Sequence, residues 1–224
     1  MASDILLVRP LFLSRDPVEQ RLMTPYFPLG LLYLAAVLRE KGYAVAIFDG
    51  TFSSGPDDFV AALERLQPRV VGFSVLVTER AAALELAMLA RARGLAVVMG
   101  GADPTGRPDI YLGSERDPVA DAVVIGEGEE TLLELLPTLL GLADARPLQE
   151  IRGLAYRDAQ GQVQSTPPRP LRRDIDALPW PARDLMDLDG YQRVWREAHG
   201  YSSLSLIASR GCPFECAWCQ KSVF

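Results

Sequence analysis

The amino-acid sequence predicts an α/β domain in which a parallel β-sheet is covered by helices on both faces. From residue 4 to about residue 140, short β-branched or apolar segments alternate with segments whose apolar residues recur at helical spacing, which is the pattern of repeated β-α-β units. The strand segments are apolar at successive positions, as in Val-Val-Gly-Phe at 70–73, and such strands are buried on both faces. With 49% hydrophobic residues in 224, the chain can build a substantial core.

Five strands and three intervening helices are predicted in order along the domain. The strands are expected at residues 5–8, 44–48, 70–75, 96–99 and 122–125. Each helix carries one apolar stripe for the core. The stripes consist of Leu31, Leu34, Ala35 and Leu38 in the first helix, Phe59, Leu63 and Leu66 in the second, and Leu84, Ala87, Met88 and the stem of Arg91 in the third.

The composition argues against membrane and nucleic-acid partners. The longest apolar stretch, residues 29–38, is too short to cross a bilayer, and Asp4 disrupts a signal-peptide pattern. A cytoplasmic protein is therefore expected. The net charge of −6, without a block of Lys or Arg, argues against an electrostatic grip on nucleic acid. We expect a small-molecule substrate instead.

The loops that follow the third, fourth and fifth strands form a candidate ligand site. In parallel sheets, ligands bind at the carboxyl edge of the strands, near the point where the strand order reverses. These loops are rich in glycine, which lets a flat ligand approach the backbone. The candidate cofactor-binding residues are Ser74, Gly100, Gly101, Gly126, Glu127 and Gly128. No GxGxxG motif follows the first strand, which argues against a dinucleotide. Glu129 and Glu130 suit the first turn of a helix.

A connecting region at residues 147–182 is predicted to join the first domain, residues 1–146, to a second one at 183–224. Residues 154–156 and 162–164 are predicted to form a small hairpin. Five prolines between positions 167 and 181 stiffen the chain beyond it. Residues 204–208 are predicted as the first strand of the second domain, from whose carboxyl end the next loop begins.

Three cysteines close to the end of the sequence form the motif with the clearest chemistry. Cys212, Cys216 and Cys219 have the spacing CxxxCxxC. Three thiolates can hold three irons of a 4Fe-4S cluster and leave the fourth iron open for a substrate or cofactor. A zinc site with His199, the only histidine, as fourth ligand is an alternative. A disulfide is disfavoured because pairing would leave one thiol over.

The segment 209–219 resembles the signature of radical S-adenosylmethionine enzymes. In that family, the open iron chelates the amino-acid part of S-adenosylmethionine, and an aromatic residue before the third cysteine lies near the adenine. Trp218 holds that place here. The chain also resembles the amino-terminal half of the cobalamin-dependent members of the family, in the ordered segments 28–42, 71–74, 100–101, 124–132, 153–156 and 178–185.

This resemblance implies a Rossmann-like or flavodoxin-like sheet that binds cobalamin at its strand ends, followed by the start of a radical S-adenosylmethionine (β/α) barrel. Two features of the sequence depart from the family pattern. Residues 1–198 contain no histidine, so this domain would supply no histidine to the cobalt. Asp103 stands where relatives often have His in a Gly-Gly-x-His loop. Residues 102–108 are interpreted either as part of a cofactor loop or as a simple turn.

The activity implied by the resemblance is reductive cleavage of S-adenosylmethionine at the cluster, which produces a deoxyadenosyl radical that takes hydrogen from an unactivated carbon. Methylcobalamin would then supply a methyl group. A flavodoxin or ferredoxin would act as the reducing partner. Radical cyclisation or rearrangement is the alternative within the family, and an inert cobalamin-binding module or a flavin domain is the alternative outside it. Because a (β/α) barrel takes about 250 residues, the chain is expected to be an amino-terminal fragment.

Overall fold

The strands form one seven-stranded sheet in a computed structural model that describes residues 2–114, 118–211, 214, 216 and 217. The strands are β1 (Ile5–Arg9), β2 (Val45–Asp49), β3 (Val70–Ser74), β4 (Ala96–Gly100), β5 (Ala122–Val124), β6 (Leu154–Arg157) and β7 (Val163–Ser165). Their spatial order is β2-β1-β3-β4-β5-β6-β7. Strands β1 to β5 are parallel, and β6 and β7 are antiparallel. The predicted α/β fold class is confirmed.

The helices of the described chain connect or flank these strands. They are α1 (Pro17–Leu22), α2 (Leu29–Glu40), α3 (Pro56–Leu66), α4 (Arg80–Arg91), α5 (Ala102–Gly106), α6 (Pro108–Leu112), α7 (Glu129–Leu140) and α8 (Leu188–His199). Helix α3 starts with Pro56, whose fixed φ suits a first helical position. Helix α7 starts with Glu129 and Glu130, and negative charge is favourable there because the helix dipole is positive at this end.

The alternating sides of the strands build two apolar layers. Leu6, Val71 and Val97 face the layer formed by α3, α4 and α6. Leu7, Val70 and Val98 face the layer formed by α2 and α7. Successive strand residues are therefore apolar because both faces are covered, as the sequence predicts.

The chain reverses its direction of travel across the sheet between β1 and β3. From β1 it passes through α2 to β2 on one side, and from β3 it passes through α4 to β4 on the other. The connections that leave the carboxyl ends of β1 and β3 therefore run in opposite directions, and a crevice opens between them. Such a switch point is where open α/β sheets bind ligands.

The buried stripe of α4 differs from the predicted one. Its buried residues are Ala83, Leu86, Ala87 and Ala90. Met88 is exposed, and Arg91 forms an ion pair with Asp121 at 2.6 Å instead of only packing its stem. The prediction followed the larger side chains, whereas the small alanines let the helix backbone lie close to the sheet.

In the later part of the chain, one expectation is confirmed and another is wrong. The predicted hairpin forms as β6 and β7, but it extends the main sheet, because β6 pairs with β5. The strand predicted at residues 204–208 is wrong: this segment has no regular secondary structure. A strand needs a neighbour to satisfy its backbone groups, and none of the described strands pairs with residues 204–208.

Helix α8 returns to the sheet and packs on α2. Its Tyr191 is fully buried with Phe27, Leu29 and Leu32, and its ring stacks on Phe27 at 4.3 Å. Residues far apart in sequence therefore close the side of the molecule near the ends of β1 and β2. Among the described helices, none combines the length and apolar character that crossing a bilayer requires.

Candidate functional site

A cavity of about 630 Å³ lies at the carboxyl ends of the strands, between the sheet and helices α2 and α7. We call it the strand-end cavity. It begins at the switch point and extends to β5. Its wall contains all six described residues that the sequence predicts as cofactor-binding: Ser74, Gly100, Gly101, Gly126, Glu127 and Gly128. The size is typical of a small-molecule site.

The cavity exists because the middle strands present small residues to this face. Gly72 and Ser74 follow each other at alternate positions of β3, and Gly100 is opposite Ser74 on β4. Apolar side chains line the remaining wall, with Leu31 and Leu34 from α2 and others from the sheet. A flat, largely apolar ligand fits such a surface better than a highly charged one.

The glycines of the wall serve different purposes. Gly30 and Gly126 have nothing within 4 Å of the position that a Cβ would occupy. Side chains at these two positions would therefore project into open space at the wall. At Gly101, with φ of +98°, a Cβ would lie 2.7 Å from the backbone nitrogen of Val75. Only glycine allows this close approach of two backbones.

The segment that leads to the cysteine motif covers the mouth of the cavity. Ile207, Arg210 and Gly211 contribute to its lining. Arg210 forms ion pairs with Glu129 and, at 3.8 Å, with Glu127. Both partners follow β5, so the pre-cysteine segment is fixed to the same turn that closes the cavity.

The Arg210 side chain is held by one aromatic ring and two carboxylates. Its guanidinium lies over the ring of Tyr33, 5.4 Å from the centroid. Burial opposes its charge, but Glu129 and Glu127 raise the pKa of Arg210 above its ordinary value. Glu127 also accepts a hydrogen bond from the backbone N–H of Arg172 at 3.1 Å. Glu127 therefore holds two covering segments as well as lining the cavity.

Asp103 does not line the strand-end cavity and instead forms hydrogen bonds within the fold. It lies in α5, so residues 102–108 contain helical turns instead of the simple turn considered above. Both of its carboxylate oxygens accept hydrogen bonds from Arg80, at 2.7 and 2.6 Å, and Tyr111 donates another. The hydrogen bonds from the Arg80 guanidinium hold the pKa of Asp103 below its ordinary value, and the hydrogen bond from the Tyr111 hydroxyl contributes less to the same effect.

A second cavity of about 310 Å³ adjoins the first at the end of β1. We call it the Arg9 cavity. The two cavities share Gly30, Leu31 and Ser74 in their walls. Arg9 and Glu79 also line it, and both side chains are almost fully buried, with exposures of 3% and 4%. Neither residue is among those predicted from the sequence, although a charged residue at the end of an apolar strand is a signal that could have found Arg9.

The cysteine motif is described only in part. Cys216 is exposed and unbonded to another cysteine. Cys212, Cys219 and Trp218 lie outside the described residues. The alternative zinc ligand His199 shares a hydrogen bond of 3.0 Å with the carbonyl of Met23, and its ring is 5.0 Å from that of Trp195. No cluster of three metal-binding side chains occurs within the described ranges.

Comparison with known proteins identifies the class of domain. Residues 21–136 match the B12 binding domain family. The solved structure of the cobalamin-dependent S-adenosylmethionine radical enzyme OxsB, with aqua-cobalamin and S-adenosylmethionine bound, superimposes with a TM-score of 0.76 at 23% sequence identity. The match covers 97% of this chain and 28% of OxsB. The fold is therefore the Rossmann-like fold of a cobalamin-binding domain.

Sequence relatives define the family more closely. An uncharacterized methyltransferase of Pyrococcus horikoshii is 35% identical over 98% of this chain and 45% of its own length. The anaerobic magnesium-protoporphyrin IX monomethyl ester cyclase of Synechocystis is 31% identical over 94% of this chain and 40% of its own length. The chain thus spans less than half the length of these relatives. It belongs to the family of radical S-adenosylmethionine proteins that contain a B12-binding domain.

Proposed function

We propose that this chain is the cobalamin-binding part of a radical S-adenosylmethionine methyltransferase, with the strand-end cavity as the cobalamin site. The observation that carries the proposal is that six residues predicted from three different loops line one cavity, whose mouth is covered by the segment preceding Cys212. The same arrangement brings the proposed cofactor site and the segment that leads to the cysteine motif to one edge of the sheet.

The cavity fits one part of cobalamin particularly well. Cobalamin consists of a wide corrin ring and a nucleotide tail with a flat benzimidazole base. The cavity is too small for the whole molecule, but its apolar wall and the open space at Gly30 and Gly126 suit the base. We therefore place the tail in the cavity and the corrin across the strand ends, with its upper face towards the cysteine segment. None of the described lining residues is a histidine, so the cavity wall offers no imidazole to the cobalt.

The mouth of the cavity supports this placement. Leu171 and Ile207 line it, yet they are 66% and 43% exposed. Apolar side chains in such a position gain free energy when a ligand covers them. A corrin lying across the mouth would bury them.

The remaining parts of the activity concern the cysteine segment. Cys212, Cys216 and Cys219 would ligate a 4Fe-4S cluster, and Trp218 would lie against the adenine of S-adenosylmethionine. When bound, these groups would supply a deoxyadenosyl radical after one-electron reduction by a flavodoxin or ferredoxin, and cobalamin would supply the methyl group for an unactivated carbon of a small-molecule substrate. Within this chain, Arg210 positions the segment that carries the cysteines.

A second candidate function is radical cyclisation or rearrangement. It is favoured by the similarity to the magnesium-protoporphyrin cyclase of Synechocystis at 31% identity. Methyl transfer ranks first because the relative with 35% identity is named a methyltransferase. Detecting a methylated or a cyclised product with the full-length enzyme distinguishes the two. A cobalamin-binding module without turnover is the third possibility, and absence of deoxyadenosine from the full-length enzyme would favour it.

The decisive experiment is anaerobic reconstitution with iron, sulfide and hydroxocobalamin, followed by desalting, metal analysis and an absorbance spectrum. We expect retained cobalamin and a retained cluster. Cys216→Ala should lose iron and sulfide while keeping cobalamin, because Cys216 does not line the cavity. Loss of cobalamin with retention of iron would contradict the cobalamin assignment. Zinc without sulfide would contradict the cluster and favour the zinc site.

A further inference from the structure

The buried charges of the Arg9 cavity are held in a fixed arrangement. Arg9 Nη1 donates to the carbonyl of Tyr26 at 2.5 Å and to the hydroxyl of Tyr191 at 3.4 Å, and the guanidinium lies over the Tyr26 ring. Arg9 Nε is 3.5 Å from Oε1 of Glu79. The other oxygen of Glu79 accepts the backbone N–H of Leu76 at 3.0 Å.

One donor of this arrangement is left over. Arg9 Nη2 is buried and has no hydrogen-bond partner among the described residues. An unsatisfied buried donor is unfavourable, and more so when it belongs to a charged group. Because Arg9 lines a cavity of about 310 Å³, a ligand in this cavity whose acceptor atom reaches Nη2 would satisfy the donor.

The charges around the cavity decide what kind of acceptor this is. Glu79 and Asp49 are both near the guanidinium, and Asp49 reaches it through Tyr191, whose hydroxyl donates to Asp49 at 2.5 Å. With both carboxyl groups ionised, Glu79 and Asp49 carry two negative charges against the single positive charge of Arg9. A phosphate or carboxylate would be repelled by Glu79. A neutral group that accepts from Arg9 and donates to Glu79 matches both, and a primary carboxamide is such a group.

We propose that the Arg9 cavity binds one side-chain carboxamide of the corrin ring, with its oxygen at Arg9 Nη2 and its N–H group at Glu79. The corrin periphery carries several primary carboxamides on flexible arms. The two cavities share Gly30, Leu31 and Ser74, so a corrin with its tail in the strand-end cavity can extend one arm into its neighbour. This inference rests on the proposed cobalamin function and specifies how the ring is oriented.

The test uses a set of cobalamin derivatives in which single carboxamides are hydrolysed to carboxylates. Each derivative is titrated against the whole chain by absorbance. For the wild type, one derivative should bind at least about tenfold more weakly than cobalamin, because a carboxylate loses the donor to Glu79 and adds a like charge beside it. The other derivatives should bind within about twofold of cobalamin.

Glu79→Gln should remove this discrimination, because the amide of glutamine donates to a carboxylate and carries no charge. The matched control is Glu85→Gln, at an exposed position of α4, the helix that begins directly after Glu79, and it should keep the wild-type pattern. If Glu79→Gln does not fold, as judged by circular dichroism, the wild-type series still decides. Equal binding of all derivatives by the wild type would overturn the inference alone. Failure of the wild type to bind cobalamin itself would overturn the proposed function, and the inference with it.

Discussion

Single glycines in the wall determine how much space the strand-end cavity offers. Gly30 is in the first turn of α2 and has no positive φ, so the fold itself does not require glycine there. Its missing side chain leaves open space beside the cavity. Gly101, in contrast, is required by the backbone of Val75. Gly30 is therefore the residue at which ligand binding can be changed with little effect on folding.

Replacing Gly30 with Phe is expected to weaken cobalamin binding at least about tenfold, because the ring would occupy the space proposed for the benzimidazole. Gly30→Ala is the matched control. It adds one methyl group to open space and should leave binding unchanged while raising the free energy of unfolding by up to about 1 kcal/mol. Absorbance titration and urea unfolding measure the two effects. Unchanged binding by the Phe variant would place the tail elsewhere.

Asp103 gives a second residue-level prediction, this time for stability. Asp103→Asn is expected to lower the free energy of unfolding by about 1–3 kcal/mol at pH 7, because Arg80 and Tyr111 lose a charged acceptor. Asp109→Asn, at an exposed ion pair with Arg107, should cost less than about 1 kcal/mol. Urea unfolding of the two variants measures the difference. Equal losses would mean that burial of the Asp103 side chain adds nothing.

The same ion pair predicts a pH dependence. The pKa of Asp103 is lower in the folded state than the unfolded value of about 3.9. Its contribution is therefore fully present above the unfolded pKa and is lost as the pH falls through the folded pKa. The difference in unfolding free energy between wild type and Asp103→Asn should be constant from pH 7 to about pH 5 and should shrink below about pH 4. A difference that does not change with pH would rule out an ionised Asp103 as its cause.

At the scale of elements, the pre-cysteine segment is held by charge instead of by regular structure. Residues 204–210 form no helix or strand. They are held through Arg210 at the turn between β5 and α7 and through Arg183, which donates to the carbonyl of Ser205 at 2.8 Å. A segment with few backbone hydrogen bonds depends strongly on such side-chain contacts.

Arg210→Ala is expected to release this segment from the cavity mouth. Glu129, whose side chain is 8% exposed, would lose its charged partner, which costs about 1–3 kcal/mol. Proteolytic cleavage within residues 204–211 under native conditions should become at least about fivefold faster, and cobalamin should dissociate faster. The control is Arg173→Ala, at an exposed position of the connecting segment. Cleavage rates equal to those of the wild type would show that Arg210 does not fix the segment.

At the scale of the whole molecule, cobalamin would connect parts of the chain that are distant in sequence. The strand-end cavity takes lining residues from β1, β3, β4 and β5 and from the segment at 207–211. A ligand that binds only this folded arrangement stabilises all of it at once. Global stability is therefore a readout of binding that does not depend on catalysis.

Cobalamin at about 100 times its Kd is expected to add about 2.7 kcal/mol to the stability. For a chain of this size the Tm should rise by about 5–10 °C, as measured by circular dichroism. Cobinamide, which has the corrin but lacks the nucleotide base, should give a clearly smaller rise at the same concentration. Equal shifts from both ligands would contradict binding of the tail in the cavity.

The sequence alone determined the layers of the fold and the edge at which the strand-end cavity lies. Apolar strands alternating with amphipathic helices admit essentially one arrangement, and loops after parallel strands meet at one edge. For this reason Ser74, Gly100 and Gly126 could be named in advance. The order of motifs was sufficient to predict a cobalamin-binding radical enzyme, and the family relationship is confirmed.

Only the tertiary structure revealed the contacts of Arg9, Glu79 and Arg210. Arg9 and Tyr191 are 182 positions apart, and Arg210 and Glu129 are 81 apart. Local patterns carry no information about such pairs, because a charge becomes buried only when distant elements close over it. The same limit explains the wrong strand at 204–208. Backbone pairing depends on a neighbouring strand, and a segment's own residues do not show whether that neighbour is present.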